Sequence, residues 1–117
     1  MRRYCKIQEV CLAHMVASLT AIEFGVVVDD LFGKTKGPLH LSFVRQVAMY
    51  LTHIVFEVRI AGVARAFGRD PSTVSYACQT IEDGRDDPVL DAKLLELETA
   101  LQAARQLDVL QPTQWVG

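Results

Sequence analysis

The chain has 117 residues, half of them hydrophobic, and this length and composition fit a single domain, 1–117, with a core of its own. The formal net charge of −2 excludes a uniformly basic protein that coats nucleic acid through charge alone. The three cysteines, Cys5, Cys11 and Cys78, are too few and too irregularly spaced for a disulfide framework. We therefore expect reduced thiols in a cytoplasmic protein.

The charges are unevenly distributed along the chain. Residues 1–69 contain nine Lys/Arg and five Asp/Glu, whereas residues 70–117 contain three and nine. This asymmetry allows a basic surface opposite an acidic one, although ordinary solvated faces would give the same counts.

The N-terminal segment begins like a signal peptide, with two arginines before an apolar stretch. Its uncharged run, Val10 to Ile22, contains only 13 residues, which is too short to span a bilayer. We predict instead a buried helix over 3–24 and no membrane association. Its predicted inward stripe is Ile7, Val10, Cys11, His14, Met15, Ser18 and Leu19.

The central segment predicts a short turn, a loop and a long helix. Gly25 and Gly33 bound a short helix or turn over 24–33, and the Gly, Pro and Lys content of 33–40 is typical of a loop. Residues 41–57 predict a helix with Ser42 as its N-cap. Its apolar positions are Val44, Val47, Ala48, Leu51, Ile54 and Val55.

Two short helices follow, over 59–67 and 71–82, and a tight Gly-Arg-Asp turn joins them. Gly68 stands at the stop position of the first, Asp70 is an N-cap residue, and Pro71 suits the first helical position. This spacing is typical of a helix-turn-helix, whose second helix directs its first turn at the DNA major groove. Small hydroxyl residues there, Ser72 and Thr73, would allow close approach and hydrogen bonding. A capped helix pair in any all-α domain would show the same pattern.

The C-terminal segment predicts one more amphipathic helix, over 87–107, and an irregular tail. Its apolar face comprises Leu90, Leu94, Leu97, Leu101 and Ala104. The sequence therefore predicts an all-α fold: a small helical bundle that contains a helix-turn-helix and has extra N-terminal and C-terminal helices.

The segments "VRQVAMYL" (44–51) and "VARAFGRDPSTVSYACQTIE" (63–82) resemble a known family. They are similar to the C-terminal DNA-binding domain of the bacterial replication initiator DnaA, a Trp-repressor-like helix-turn-helix. That family has an Arg-Gln pair before an Ala-Met-Tyr-Leu-like helix and, about a dozen residues on, "IG-x-x-FGGRDHTTV". The upstream "VVVDDLFGKTKG" (26–37) is also similar, and the resemblance covers roughly residues 16–100.

The resemblance implies sequence-specific binding of double-stranded DNA at short boxes, in transcription regulation or replication. It assigns Arg45 and Gln46 to contacts from the long helix, and Lys34 and Lys36 to the loop that in the family enters the minor groove. Arg69 would contact a phosphate or fix the turn. The full predicted DNA-binding set is Lys34, Lys36, Arg45, Gln46, Arg69, Pro71, Ser72, Thr73 and Ala77.

The chain departs from the family pattern in three respects. Pro71 replaces the histidine that follows Arg-Asp, one glycine of the turn is missing, and the basic loop has lysines instead of arginines. We therefore expect a different target site and weaker general affinity.

No residue set suggests an enzyme or a cofactor. Gly33-Lys34-Thr35 ends like a phosphate-binding loop, but position 28 is Val where that motif needs glycine. The three histidines lack metal-ligand spacing, and no nucleophile has a base at a suitable spacing. We predict no ATPase activity, no metal and no cofactor.

The alternative hypothesis is a protein-interaction adaptor with a degenerate DNA-binding face. It rests on Pro71, the weakened basic loop and the acidic region 82–98. A homodimer or a protein partner would then use residues 3–24 or the leucine face of 90–101.

Overall fold

The computed structural model describes residues 4–34 and 37–106, which form five α-helices and one 3₁₀ helix. In chain order these are α1 (Lys6–Phe24), the 3₁₀ helix η1 (Val28–Phe32), α2 (Leu39–Phe56), α3 (Ile60–Phe67), α4 (Pro71–Gly84) and α5 (Pro88–Arg105). The described residues contain no strand, which confirms the all-α prediction. The predicted tail beyond residue 107 lies outside them.

Helix α2 is the centre of the bundle and contacts every other helix. Its predicted inward positions are fully or almost fully buried, with one exception, Ile54, which is 44% exposed. The helix begins at Leu39 with Pro38 in the N-cap position, so the predicted Ser42 cap is wrong. The fixed φ of Pro38 suits a chain that enters a helix, and Ser42 lies one turn inside it.

Helix α1 buries the face opposite to the one that the sequence predicts. Its buried residues are Glu9, Ala13, Val16, Ala17, Thr20 and Ala21. Ile7 is 76% exposed and Met15 37% exposed, and the remaining predicted stripe residues are exposed or only partly buried. Three buried alanines allow close helix approach on the inner face, where Glu9 accepts a hydrogen bond from Arg65 of α3 at 2.9 Å. Both faces of α1 are apolar, so periodicity alone selects the wrong one.

Within the described part of the chain, α1 is also long and apolar enough to cross a membrane by length and composition. It nevertheless packs against α2, α3, η1 and α5. We interpret α1 as a helix of the bundle because its polar Glu9 and Thr20 are buried against protein and hydrogen-bonded there.

Helices α3 and α4 form the predicted helix-turn-helix. Gly68 ends α3 in the left-handed conformation, with φ 65°, which favours glycine. The backbone N–H of Arg69 donates to the carbonyl of Ala64 at 2.9 Å and closes the end of the helix. Asp70 occupies the N-cap of α4 and Pro71 its first position, as predicted. The turn therefore fixes where α4 begins.

Helix α5 packs its leucine face into the core. Leu94, Leu97 and Leu101 are at most 3% exposed, so these leucines cannot serve as the docking surface that the sequence offers over 90–101. Between α4 and α5, Arg85 donates hydrogen bonds to Asp91, Glu98 and the Tyr50 hydroxyl. These contacts join the C-terminal end of α4 to α2 and α5.

Candidate nucleic-acid interface

The first turn of α4 lies on the protein surface. Pro71, Ser72 and Thr73 are exposed, whereas Val74, Ala77 and Ile81 are buried on the opposite side of the helix. Asp70 makes no side-chain hydrogen bond to the N-terminal turn. The positive end of the helix dipole and the first-turn N–H groups therefore face the surface at Ser72 and Thr73, an arrangement that favours an anion.

A surface cleft of about 320 Å³ lies beside this turn. Residues from the loop after η1, from α2 and from the helix-turn-helix line it: Lys34, Ser42, Arg45, Gln46, Met49, Arg69 and Thr73. Five of these were predicted from the sequence, and they come from segments up to 39 positions apart, Lys34 to Thr73. The fold thus brings the predicted long-helix, loop and recognition-helix residues to one place.

The loop at the edge of the cleft is held by an aromatic stack. The ring of Phe32 lies between His14 of α1 and Phe67 of α3, with centroid distances of 4.0 Å and 4.8 Å and nearly parallel planes. This stack attaches η1, and with it the start of the lysine loop, to two helices.

Arg45 is 3% exposed and makes internal hydrogen bonds. Its Nε donates to the carbonyl of Leu31 at 2.8 Å and its Nη2 to the carbonyl of Asp30 at 3.0 Å. Burial, and secondly the charge of Arg69, lower the pKa of Arg45. Arg45 therefore fastens η1 to α2, and its phosphate contact stays a prediction.

Arg69 makes turn-fixing bonds, which is one of the two roles that the family resemblance implies for it. Its Nη2 donates to the carbonyl of Gly33 at 2.7 Å, and its Nη1 donates to the carbonyl of Phe67 at 3.1 Å. These bonds join the helix-turn-helix to the residue immediately before Lys34. A phosphate contact by the same side chain stays a prediction.

Ala77 has no exposed surface and packs in the core, and its expected contact with DNA stays a prediction. The methyl group faces inward because position 77 shares the buried side of α4 with Val74 and Ile81. Lys36 lies outside the described residues.

Sequence reasoning missed two residues that line the cleft, Ser42 and Met49. Tyr76 is 67% exposed on α4, one turn after Ser72. The helical repeat places position 76 beside position 72, so the face of Tyr76 could have been inferred from α4 alone. No signal in the sequence indicated that Ser42 and Met49 would border a cleft.

Cys78 lies half-buried on the other side of α4. Burial raises the pKa of its thiol to about 11, which keeps it protonated and unreactive near neutral pH.

These features define a class of protein: a helix-turn-helix domain whose recognition helix begins at the surface beside a cleft with basic residues. Residues 13–81 match the family described as bacterial dnaA protein helix-turn-helix. The chain therefore belongs to this family, and its fold is that of a DnaA-type DNA-binding helix-turn-helix domain.

The relatives are replication initiators. The chain is 36% identical over 75 residues to chromosomal replication initiator protein DnaA 2 of Chlamydia trachomatis, a match that covers 64% of this chain and 16% of the relative. It is 34% identical over 73 residues to DnaA of Tropheryma whipplei, covering 61% and 15% respectively. The chain thus spans about a sixth of the length of these relatives.

A solved structure has the same fold. The crystal structure of a DNA replication initiation factor aligns with a TM-score of 0.73 and 25% sequence identity, over 82% of this chain and 30% of that one.

Proposed function

We propose that this chain binds double-stranded DNA sequence-specifically and acts at the bacterial nucleoid, in the cytoplasm, as a transcription regulator or replication modulator without ATPase activity. The observation that carries the proposal is the cleft in which Lys34, Gln46 and Thr73 meet beside the exposed first turn of α4. In a helix-turn-helix this turn enters the major groove.

Phosphate contacts would hold the domain on the duplex. Lys34 is exposed at the edge of the cleft, and Lys36 comes two positions later in the sequence. The N-terminal end of α4 adds a fixed partial positive charge. Arg45 and Arg69 contribute mainly by positioning this loop, because both donate to backbone carbonyls at or next to η1.

Base contacts would select the sequence. Thr73 and Gln46 line one cleft, and Ser72 is exposed next to Thr73. A hydroxyl can bond to a base edge, the threonine methyl can contact a thymine methyl, and glutamine can pair with adenine in the major groove. Pro71 offers no ring donor, so the preferred site differs from that of family members with histidine there.

Selection of bound fragments from random duplex DNA tests this proposal, followed by binding measurements on the selected site at several salt concentrations. We expect a reproducible consensus and an affinity that falls steeply as salt rises. Failure to enrich any sequence, together with no binding at low salt, would overturn the proposal.

The substitution Thr73→Ala tests the readout. We expect it to relax preference at one base position and to weaken binding to the preferred site by about 1–3 kcal/mol. Thr99→Ala, which alters an exposed threonine of α5, is the matched control and should leave DNA binding unchanged. An equal loss on all sequences for Thr73→Ala would refute a role in base recognition.

A protein-interaction adaptor is the second candidate function. Its support is the exposed apolar outer face of α1, together with the absence of a ring donor at Pro71. It predicts a stable complex or oligomer on gel filtration and no DNA shift at low salt.

A further inference from the structure

The outer side of α1 carries a stripe of five uncharged residues. Along one line of the helix it presents Ile7, Cys11, Met15, Ser18 and Ile22, spaced by three or four residues. Ile7 and Ile22 are 76% and 77% exposed, and Met15 is 37% exposed. Since the inner face is already buried in the bundle, this outer stripe has no partner among the residues that the structure describes.

We propose that this stripe pairs with the same stripe of a second copy of the chain, with the two α1 helices antiparallel. The proposal goes beyond DNA binding and does not depend on it. Two observations support this occupant: the symmetry of the pattern and the absence of charge in the stripe.

The pattern is self-complementary under a two-fold axis. An axis perpendicular to the helix, between His14 and Met15, sets Ile7 opposite Ile22 and Cys11 opposite Ser18. The large residues at the two ends thus meet each other, the small ones meet each other, and Met15 lies beside the axis. A symmetric dimer requires this reciprocity, because contact i to j implies contact j to i.

The absence of charge favours a like partner. Two copies of an acidic or basic stripe would repel each other, whereas two copies of this one would not. The stripe is about 22 Å long at 1.5 Å per residue, so two such stripes bury less than the roughly 1,200 Å² at which stable interfaces begin. We therefore expect a weak dimer, populated at micromolar to sub-millimolar concentrations.

The dimer would leave the DNA-facing surface accessible. Helix α1 packs mainly on α2 and α3, and its outer stripe points away from them. The exposed turn of α4 is not part of the stripe, so each copy would keep its own recognition helix available. On DNA with two adjacent sites, tethering would raise the effective concentration of the second copy.

Sedimentation equilibrium of the free chain, without DNA, tests the pairing. We expect reversible self-association that Ile7→Asp and Ile22→Asp each weaken at least about tenfold, because each would bury an unpaired carboxylate. Leu39→Asp is the matched control: Leu39 is 87% exposed but lies on α2, so association should be unchanged. Circular dichroism verifies that all three variants fold.

Disulfide trapping tests the direction of the helices. In Ser18→Cys, oxidation should join Cys11 of one copy to residue 18 of the other, and peptide mapping should identify this bond. The two positions in one helix are about 10.5 Å apart, beyond the reach of a disulfide, so the bond must link two copies.

Either of two results overturns the proposal: a chain that stays monomeric throughout the concentration range, or a dimer that the isoleucine variants do not weaken. A monomer would leave the stripe to a different partner. Neither result affects DNA binding, which is measured separately on a single site.

Discussion

At the scale of single residues, the two arginines of the cleft combine charge with a supporting role. Arg45 and Arg69 both donate to backbone carbonyls of residues 30–33, so they hold the segment that leads to Lys34. Carbonyl acceptors at these positions would lose their bonds if either guanidinium were removed. Arg45 and Arg69, which the family resemblance assigns to DNA contact, are thus also needed to hold this surface in place.

Arg45→Ala separates these two roles. Its loss leaves the carbonyls of Asp30 and Leu31 without their donor, and we expect the free energy of unfolding to fall by about 2–3 kcal/mol. Urea denaturation measures this change. If Arg45 only supports η1, the dependence of DNA affinity on salt keeps its slope; a slope lower by about one unit would reveal a phosphate contact.

At the scale of secondary-structure elements, α4 is fixed at both ends. Gly68 and Arg69 set its N-terminal end against η1, and Arg85 ties its C-terminal end to α2 and α5. Recognition requires this rigidity, because base contacts depend on the position of the first turn.

Gly68→Ala tests the N-terminal attachment. A Cβ at Gly68 meets no atom within 4 Å, so the expected loss of about 1–2 kcal/mol in stability comes from the left-handed backbone alone. Gly25→Ala, at the end of α1 with φ 69° and equally open space, should lower stability by a similar amount. We expect only Gly68→Ala to reduce DNA affinity, and an equal reduction by both variants would contradict this.

The contacts at the C-terminal end of α4 include Tyr50, and they predict that the free energy of unfolding depends on pH. Burial, and then the hydrogen bond to Glu82, raise the pKa of Tyr50 from 10.0 to about 12. The unfolded chain therefore loses this proton first, and the stabilisation present below about pH 10 is lost as pH rises through about 12. Unfolding free energies across this range should fall more steeply for the native chain than for Tyr50→Phe. Parallel curves would contradict the assignment.

At the scale of the whole molecule, charge separates along the chain. The basic cleft residues belong to the first 69 positions. The acidic residues Glu82 and Asp83 lie in the last turn of α4, and Asp86 and Asp87 follow it. Repulsion from these carboxylates would favour DNA at the N-terminal end of α4 and not at its C-terminal end.

Lys34→Gln tests which side of the molecule meets the duplex. We expect weaker binding to every sequence and a salt slope lower by about one unit, because one phosphate contact is lost. Lys93→Gln is the control, since Lys93 lies on α5 and pairs with Glu23 at 3.3 Å. Equal effects of the two substitutions would show that the duplex does not lie on the cleft side.

The sequence by itself determined the order and type of the helices, because turn residues and capping residues act locally. Gly68, Asp70 and Pro71 set the helix-turn-helix, and the motif around them indicated the family. The leucine periodicity of α5 correctly indicated its buried face, where Leu94, Leu97 and Leu101 are at most 3% exposed.

Only the tertiary structure decided which face of α1 is buried, and what Arg45 and Arg69 contact. Because both faces of α1 are apolar, periodicity does not distinguish them. Packing against α2 and α3 determines which face is buried. The carbonyls that bind Arg45 and Arg69 lie 14 and 36 positions away in the sequence. Local patterns cannot specify such partners, because packing of distant segments brings them together.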